Sequence, residues 1–165
     1  GEESMRKSIF VAGMMALLAG SAFANGNHAG GHDDDLTAIG KPGKAAKADR
    51  TINISMLEKG DGSMSFDPVS ITVKKGETVR LRFTNKGEND HEFVMDTHEH
   101  VMEHKTAMEK FPDMEHEDPN QIRIGPKSKG EIIWTFTTAG DFDFACLIPG
   151  HHDLGMKGTI KVTSN

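Results

Sequence analysis

Hydrophobic and polar residues alternate along most of the chain from Thr51 onward. The alternation has a period of two residues, which is typical of β-strands with one buried face. Turn-forming dipeptides such as Lys75-Gly76 and Ala139-Gly140 separate the runs at short intervals. The pattern therefore predicts an all-β, antiparallel sandwich or barrel. The runs are centred on Ile52, Ile54 and Met56, on Val69, Ile71 and Val73, on Val79, Leu81 and Phe83, on Ile132, Trp134 and Phe136, and on Ile160 and Val162.

One long insertion interrupts this alternation between strands expected near Phe93 and Ile122. It is too long for a hairpin loop. A helix is predicted from His98 to Lys110, with Thr97 as its N-cap and Pro112 as its stop.

The first 24 residues have the pattern of a secretory signal. Arg6 and Lys7 precede an apolar run over residues 9–18, and a small-x-small cleavage pattern ends at Ala24. Residues 1–4 precede Met5, a candidate initiator, and are interpreted as extra residues outside the fold. The apolar run is shorter than the ~20 residues that a membrane span needs. We therefore expect cleavage near Ala24 and Asn25, export to the periplasm, and no membrane span in the mature protein.

Residues 25–50 are rich in Gly, Ala, Asp and Lys and contain His28 and His32. They lack hydrophobic periodicity, so they are predicted to form a disordered tail. The folded domain is expected to cover residues 51–165, with an acidic His/Met-rich insertion at residues 95–118.

The only cysteine lies in the segment CLIPGHHDLGM, residues 146–156. No internal disulfide is available to it. A thiolate and a thioether combined with imidazoles select copper, and Cys146, His151 and Met156 supply three such donors. His91, which follows a predicted strand and a turn, is the best candidate for the fourth. A buried inert cysteine and a zinc site are the alternatives, the latter disfavoured because methionine is a poor zinc ligand.

Two stretches resemble the cupredoxins, the family of plastocyanin, azurin and the phytocyanins: GDFDFACLIPGHHDLGM near the carboxy terminus, and FDPVSITVKKGETVRLRFTNKGENDHEF earlier. The resemblance covers residues 51–162 and implies a Greek-key β-sandwich. It implies a type 1 copper site formed by His91, Cys146, His151 and Met156. In this family the second histidine, here His151, reaches the surface with one ring edge.

The insertion is strongly acidic and rich in soft donors. Residues 88–120 hold eleven Asp or Glu against Lys105 and Lys110, in a chain of net charge −6. Helical spacing places His100, His104 and Met108 on one face. A second copper site is therefore a hypothesis, with a solvated acidic helix whose methionines pack on the sandwich as the alternative. Its candidate ligands are Met95, His98, His100, Met102, His104, Met108, Met114 and His116.

The export pattern and the surplus donors make the chain similar to periplasmic copper-tolerance cupredoxins of the CopI type. This resemblance implies copper handling with a redox-active centre. Catalysis is not expected, because the loop lacks the second cysteine of binuclear copper domains and the His-Cys-His unit of multicopper oxidases. An electron carrier that serves a respiratory or denitrifying enzyme is the alternative, and cuprous oxidase activity is a third reading, disfavoured because such a site has no open position for oxygen. We predict a monomer that binds copper ions and a redox or copper-transfer protein, without a nucleic-acid partner.

Overall fold

The computed structural model describes residues 37–114 and 117–164. Within these residues the chain forms ten strands, one α-helix and a short 3₁₀ turn at Ala45–Lys47. The elements follow in the order β1 Gly40–Pro42, β2 Arg50–Glu58, β3 Met64–Asp67, β4 Ser70–Lys74, β5 Thr78–Asn85, β6 His91–Asp96, α1 His98–Lys110, β7 Gln121–Ile124, β8 Lys129–Phe136, β9 Gly140–Ala145 and β10 Lys157–Thr163.

The strands form two five-stranded sheets that enclose one hydrophobic core. One sheet has the order β1-β8-β5-β2-β3, and the other has the order β4-β10-β9-β6-β7. The predicted all-β sandwich with a helical insertion is confirmed, but the sheets are mixed and not purely antiparallel. The pairs β2/β5 and β4/β10 are parallel.

Alternation of side chains explains how these strands build the core. On β5, Val79, Leu81 and Phe83 are fully buried. On the solvent face of the same strand Arg80 forms an ion pair with Glu131 of β8 at 2.9 Å.

Three phenylalanines pack at the centre of the sandwich. The ring centroids of Phe66 and Phe144 lie 5.1 Å apart, as do those of Phe93 and Phe144. Such aromatic pairs stabilise beyond the burial of their surface area, by about 0.5–1.5 kcal/mol each.

The domain begins earlier than its predicted boundary at Thr51. β1 pairs antiparallel with β8, with Gly40 opposite Phe136, and Ile39 is fully buried. The predicted tail therefore includes ordered residues from Thr37 onward. A single inward apolar residue beside Gly and Pro produces no periodicity, so the alternation could not indicate this strand. Residues 25–36, the predicted signal at residues 1–24 and its cleavage point lie outside the described residues.

The helix α1 has the predicted bounds. Thr97 Oγ1 accepts a hydrogen bond from the backbone N–H of His100 at 3.3 Å, as an N-cap does. Val101 and Met108, two turns apart, are buried against a small second cluster. The other members of this cluster are Val94, Ala145 and Leu147, with Met114 packed against it. The helix is thereby anchored to β6 and β9, beside the segment that follows Cys146.

Candidate metal centre

Strand pairing brings the two halves of the candidate site to one end of the second sheet. His91 is the first residue of β6, and Cys146 directly follows β9. β6 and β9 run antiparallel with Val94 opposite Ala145, so the start of one strand lies beside the end of the other. Residues that are far apart in sequence therefore meet at this end.

Three of the four predicted donors converge. His91 Nδ1 lies 3.3 Å from His151 Nδ1, and Cys146 Sγ also lies 3.3 Å from His151 Nδ1. All three donor atoms lie within 4.8 Å of one another. In zinc sites the metal lies about 2.0–2.1 Å from each His nitrogen and about 2.3 Å from a Cys sulfur. Two donor atoms that bind one such ion are therefore roughly 3.3–3.7 Å apart. Little movement is needed for the three side chains to hold one metal ion.

The loop after Cys146 is held by its own backbone. The N–H of His151 donates to the carbonyl of Ile148 at 3.0 Å, which closes the turn that returns the imidazole toward the sulfur. Gly150 and Gly155 have φ values of 89° and 103°, a left-handed region that favours glycine. The sequence Pro-Gly-His-His-Asp-Leu-Gly therefore forms a tight turn before β10 begins.

Met156 lies in the main core together with Cys146 and is fully buried. Its carbonyl accepts the Cys146 N–H at 3.0 Å, and its own N–H donates to the His151 carbonyl at 3.1 Å. The methionine is thus tied by its backbone to two candidate ligands. Its predicted role as the axial ligand stays a prediction.

The surroundings of Cys146 and His151 favour the uncharged form of each side chain when no metal is bound. Burial raises the pKa of the Cys146 thiol to about 12, although the Glu92 N–H, which donates to Sγ at 3.3 Å, acts in the opposite direction. Burial, followed by the neighbouring His91, lowers the pKa of His151. A metal ion must therefore displace the thiol proton, and it then supplies the charge that a buried thiolate requires.

A carboxylate that the sequence did not single out completes the surroundings of His91. Glu58 Oε1 lies 3.1 Å from His91 Nε2, on the opposite side of the ring from His151. Hydrogen bonds to this carboxylate, above all from the backbone of Asn89, lower the pKa of Glu58. No motif marks Glu58, because its position depends on the pairing of β2 with β5.

The donor set fits copper. A thiol and two imidazoles converge here, and with the thioether predicted at Met156 they make up the ligand set of an electron-transfer copper centre. Phe144 and Phe142 of β9 are buried in the same core as the sulfur, so water is excluded on that side.

Comparison with known proteins agrees with this geometry. Residues 54–163 match the family model described as copper binding proteins of the plastocyanin/azurin family. The chain belongs to this family. The copper cofactor predicted from the donors is thereby confirmed, as is the resemblance to cupredoxins.

Curated relatives of this plastocyanin/azurin-family chain are named for copper resistance. A copper-resistant cuproprotein CopI of Rubrivivax gelatinosus is 46% identical over 154 residues, which cover 89% of this chain and 91% of the relative. A CopI of Pseudomonas aeruginosa is 34% identical over 154 residues, with coverage of 76% and 82%. Among solved structures, auracyanin B superposes with a TM-score of 0.61 at 20% identity, covering 78% of this chain and 96% of auracyanin B. That last likeness concerns the fold alone.

The candidate ligands of the second site lie in different parts of this family member. Met95 is fully buried in the main core, and Met108 is fully buried in the second cluster. The two methionines thus pack in separate clusters. Met114 packs against the second cluster, and His116 lies outside the described residues. The alternative, methionines that pack on the sandwich, thus holds for these three methionines.

The remaining donors line two different grooves beside the helix. His100 and His104 line a groove of about 460 Å³ together with Asp96. His98 and Met102 line another, of about 410 Å³, together with His152. Among the described His, Cys, Asp and Glu residues, the only group of three that brings ligand atoms within 4.8 Å is the one at Cys146. A second copper site formed by histidines and methionines stays a prediction.

Proposed function

We propose that this protein binds copper through His91, Cys146, His151 and Met156 and acts in copper tolerance and copper handling. The observation that carries the proposal is the convergence of one thiol and two imidazoles in a chain of a copper-binding family. The names of the relatives, copper-resistant cuproproteins, support the tolerance role.

A copper ion held by these donors supplies a one-electron couple, Cu(I)/Cu(II). The chain's own contribution is to hold the donors in one arrangement. Backbone hydrogen bonds fix the loop around His151, and full burial fixes Cys146 and Met156. Because the donors are already close together, a change of charge at the site requires little rearrangement of the protein.

His151 gives the site its access to the surface. It is half-buried, whereas His91 and Cys146 are completely buried. Beside it Pro149 and Leu154 are exposed, the latter by 45%. We propose that this small apolar surface contacts the redox or copper-transfer partner at the moment of exchange.

We also propose that the mature protein acts in the periplasm and has no catalytic activity of its own. The pattern of residues 5–24 supports export. The proposed set of four protein ligands supports a non-catalytic role, since it offers no coordination position to a substrate. Among the described residues, no helix has the length and apolar character needed to cross a bilayer.

Deletion of the gene is expected to make cells sensitive to copper while their respiration stays normal. The physical reason is that a chain of this kind lowers the amount of free copper by binding it. Growth across a copper series and oxygen uptake without added copper are the measurements. The wild-type gene should restore tolerance, and a Cys146→Ser gene should not. Loss of respiration with unchanged copper tolerance would instead support the electron carrier.

Additional copper binding by the insertion is tested on a Cys146→Ser background. We expect this variant to bind at least one equivalent of Cu(I) tightly, because α1 carries imidazole and thioether donors in an acidic environment. Titration against a chromophoric Cu(I) chelator measures it. Substitution of His98, His100 and His104 by glutamine should remove that equivalent with the helix content unchanged. A Cys146→Ser protein that takes up no Cu(I) would eliminate the second site.

A further inference from the structure

The carboxylate of Glu58 contacts the back of the His91 ring. Its Oε1 atom lies 3.1 Å from Nε2, whereas the opposite ring nitrogen, Nδ1, faces His151 at 3.3 Å. His91 is completely buried, and the Glu58 side chain is 23% exposed. Because Nδ1 points to the other donors, Nε2 is the nitrogen that carries the proton and donates it to Glu58.

The same carboxylate oxygen is anchored by the chain segment that leads to His91. Oε1 accepts the backbone N–H of Glu88 and that of Asn89, both at 2.9 Å. One oxygen of Glu58 thus receives three N–H groups. This arrangement fixes the position of the acceptor and requires an oxygen atom at that point, since an N–H group there would face three other donors.

The turn before β6 is built closely around Glu58. A Cβ atom on Gly87 would overlap Glu58 Oε1 and lie 2.6 Å from its Cδ. The N–H of Gly87 donates to Asn85 Oδ1 at 2.8 Å, and Asn85 Nδ2 donates to the carbonyl of Asn89 at 2.8 Å. Asn85 is itself buried and binds the Ile124 carbonyl at 3.0 Å. The turn, its amide and the carboxylate form one rigid support for His91.

We propose that Glu58 is a positioning residue that holds His91 as the Nε2–H tautomer and stabilises the Cu(II) state of the site over Cu(I). The proposal rests on the proposed function, in which His91 Nδ1 binds copper. A hydrogen bond from imidazole to an anionic acceptor increases the basicity of the ligating nitrogen. The negative charge of Glu58 also lies close to the site, behind the His91 ring. It therefore stabilises Cu(II), which carries one more positive charge than Cu(I).

Replacement of Glu58 by glutamine tests the effect of the charge. Glutamine keeps the shape and an oxygen acceptor, and the two backbone N–H groups hold that oxygen toward His91. We expect Glu58→Gln to retain the thiolate-to-copper absorption band. The Cu(II)/Cu(I) equilibrium should shift at least tenfold toward Cu(I), which raises the reduction potential by about 59 mV or more. Redox titration followed by absorption spectroscopy measures the shift.

Glu88→Gln is the matched control. It removes an equal charge from the turn that contacts Glu58, but the Glu88 carboxylate pairs with Lys127 on the surface and not with a ligand. Its potential should stay close to that of the wild type. Equal potentials for Glu58→Gln and Glu88→Gln would overturn the inference, since a general effect of net charge moves both variants alike.

A measurement on the wild-type protein keeps the inference testable even if Glu58→Gln does not fold. Two-bond ¹H–¹⁵N spectra of the Cu(I) protein report which ring nitrogen of His91 carries the proton. We expect Nε2 to be protonated and its proton to exchange slowly with solvent. A proton on Nδ1 would overturn the inference. A copper-loaded wild type without any charge-transfer band would instead contradict the proposed function itself, so the two failures are distinguishable.

Discussion

Replacement of Cys146 by serine is expected to abolish the intense absorption of the copper-loaded protein. The band arises from charge transfer between a thiolate and Cu(II), and a serine hydroxyl provides no comparable donor. Cys146 is fully buried between β9 and the His151 turn, and no other cysteine in the chain can replace it. The variant changes one atom and little volume, so the fold is retained. Absorption spectra of protein loaded with one equivalent of Cu(II) test this.

The copper affinity of the Cys146→Ser variant should also fall strongly. Loss of a residue that hydrogen-bonds a metal ligand lowers metal affinity roughly 10–100-fold. Loss of a ligand itself is expected to lower it more. Met95→Leu is the control, because it removes a fully buried sulfur from the same core without touching the three converging donors. It should keep the band. A coloured Cys146→Ser protein, or a colourless wild type loaded with copper, would contradict the proposed ligands.

Much of the fold was predictable because its physical causes are local. Period-two alternation marks β5 and β8, where every second side chain enters one core. The helix was predictable to the residue, since Thr97 caps its start and Pro112 follows its end. β1 escaped prediction because a strand of three residues that contains Gly and Pro has no pattern of its own and depends on its pairing with β8.

The candidate site likewise contains residues that the sequence could predict and one that it could not. Cys146 and His151 lie in one loop, so their spacing alone suggests a shared ion. Glu58 could not be found, because its contact with His91 depends on the parallel register of β2 and β5, in which Met56 lies opposite Asn85. Nothing in a single sequence specifies that register. Only in that register does Glu58, at the end of β2, lie beside the turn that precedes His91.

The insertion shows where helical periodicity fails as a guide to binding. Spacing placed His100, His104 and Met108 on one face, and the two histidines do line one groove. Met108, however, is buried against Val101 and its neighbours, because the helix has so few other apolar residues with which to cover the sheet. Met108, which helical spacing alone would assign to a metal site, is therefore used for packing.

Copper affinity is expected to increase by about tenfold for each pH unit between pH 7 and pH 9. The pKa of the Cys146 thiol is raised to about 12 by burial, so the thiol keeps its proton throughout this range when no metal is bound. Binding as a thiolate releases one proton, and a higher pH therefore favours the bound state. His151, whose pKa is lowered, is already neutral here and contributes no further proton.

Competition with a Cu(I) chelator of known pH dependence measures this slope, and calorimetry in two buffers of different ionisation enthalpy counts the released protons. We expect one proton per copper ion at pH 8 and about a hundredfold change in affinity between pH 7 and pH 9. For Cys146→Ser the residual affinity should be nearly independent of pH in this range. A wild type that releases no proton would mean that the thiol is already ionised or is not a ligand. Burial of Cys146 in an apolar core argues against the first of these, so the ligand itself would be in question.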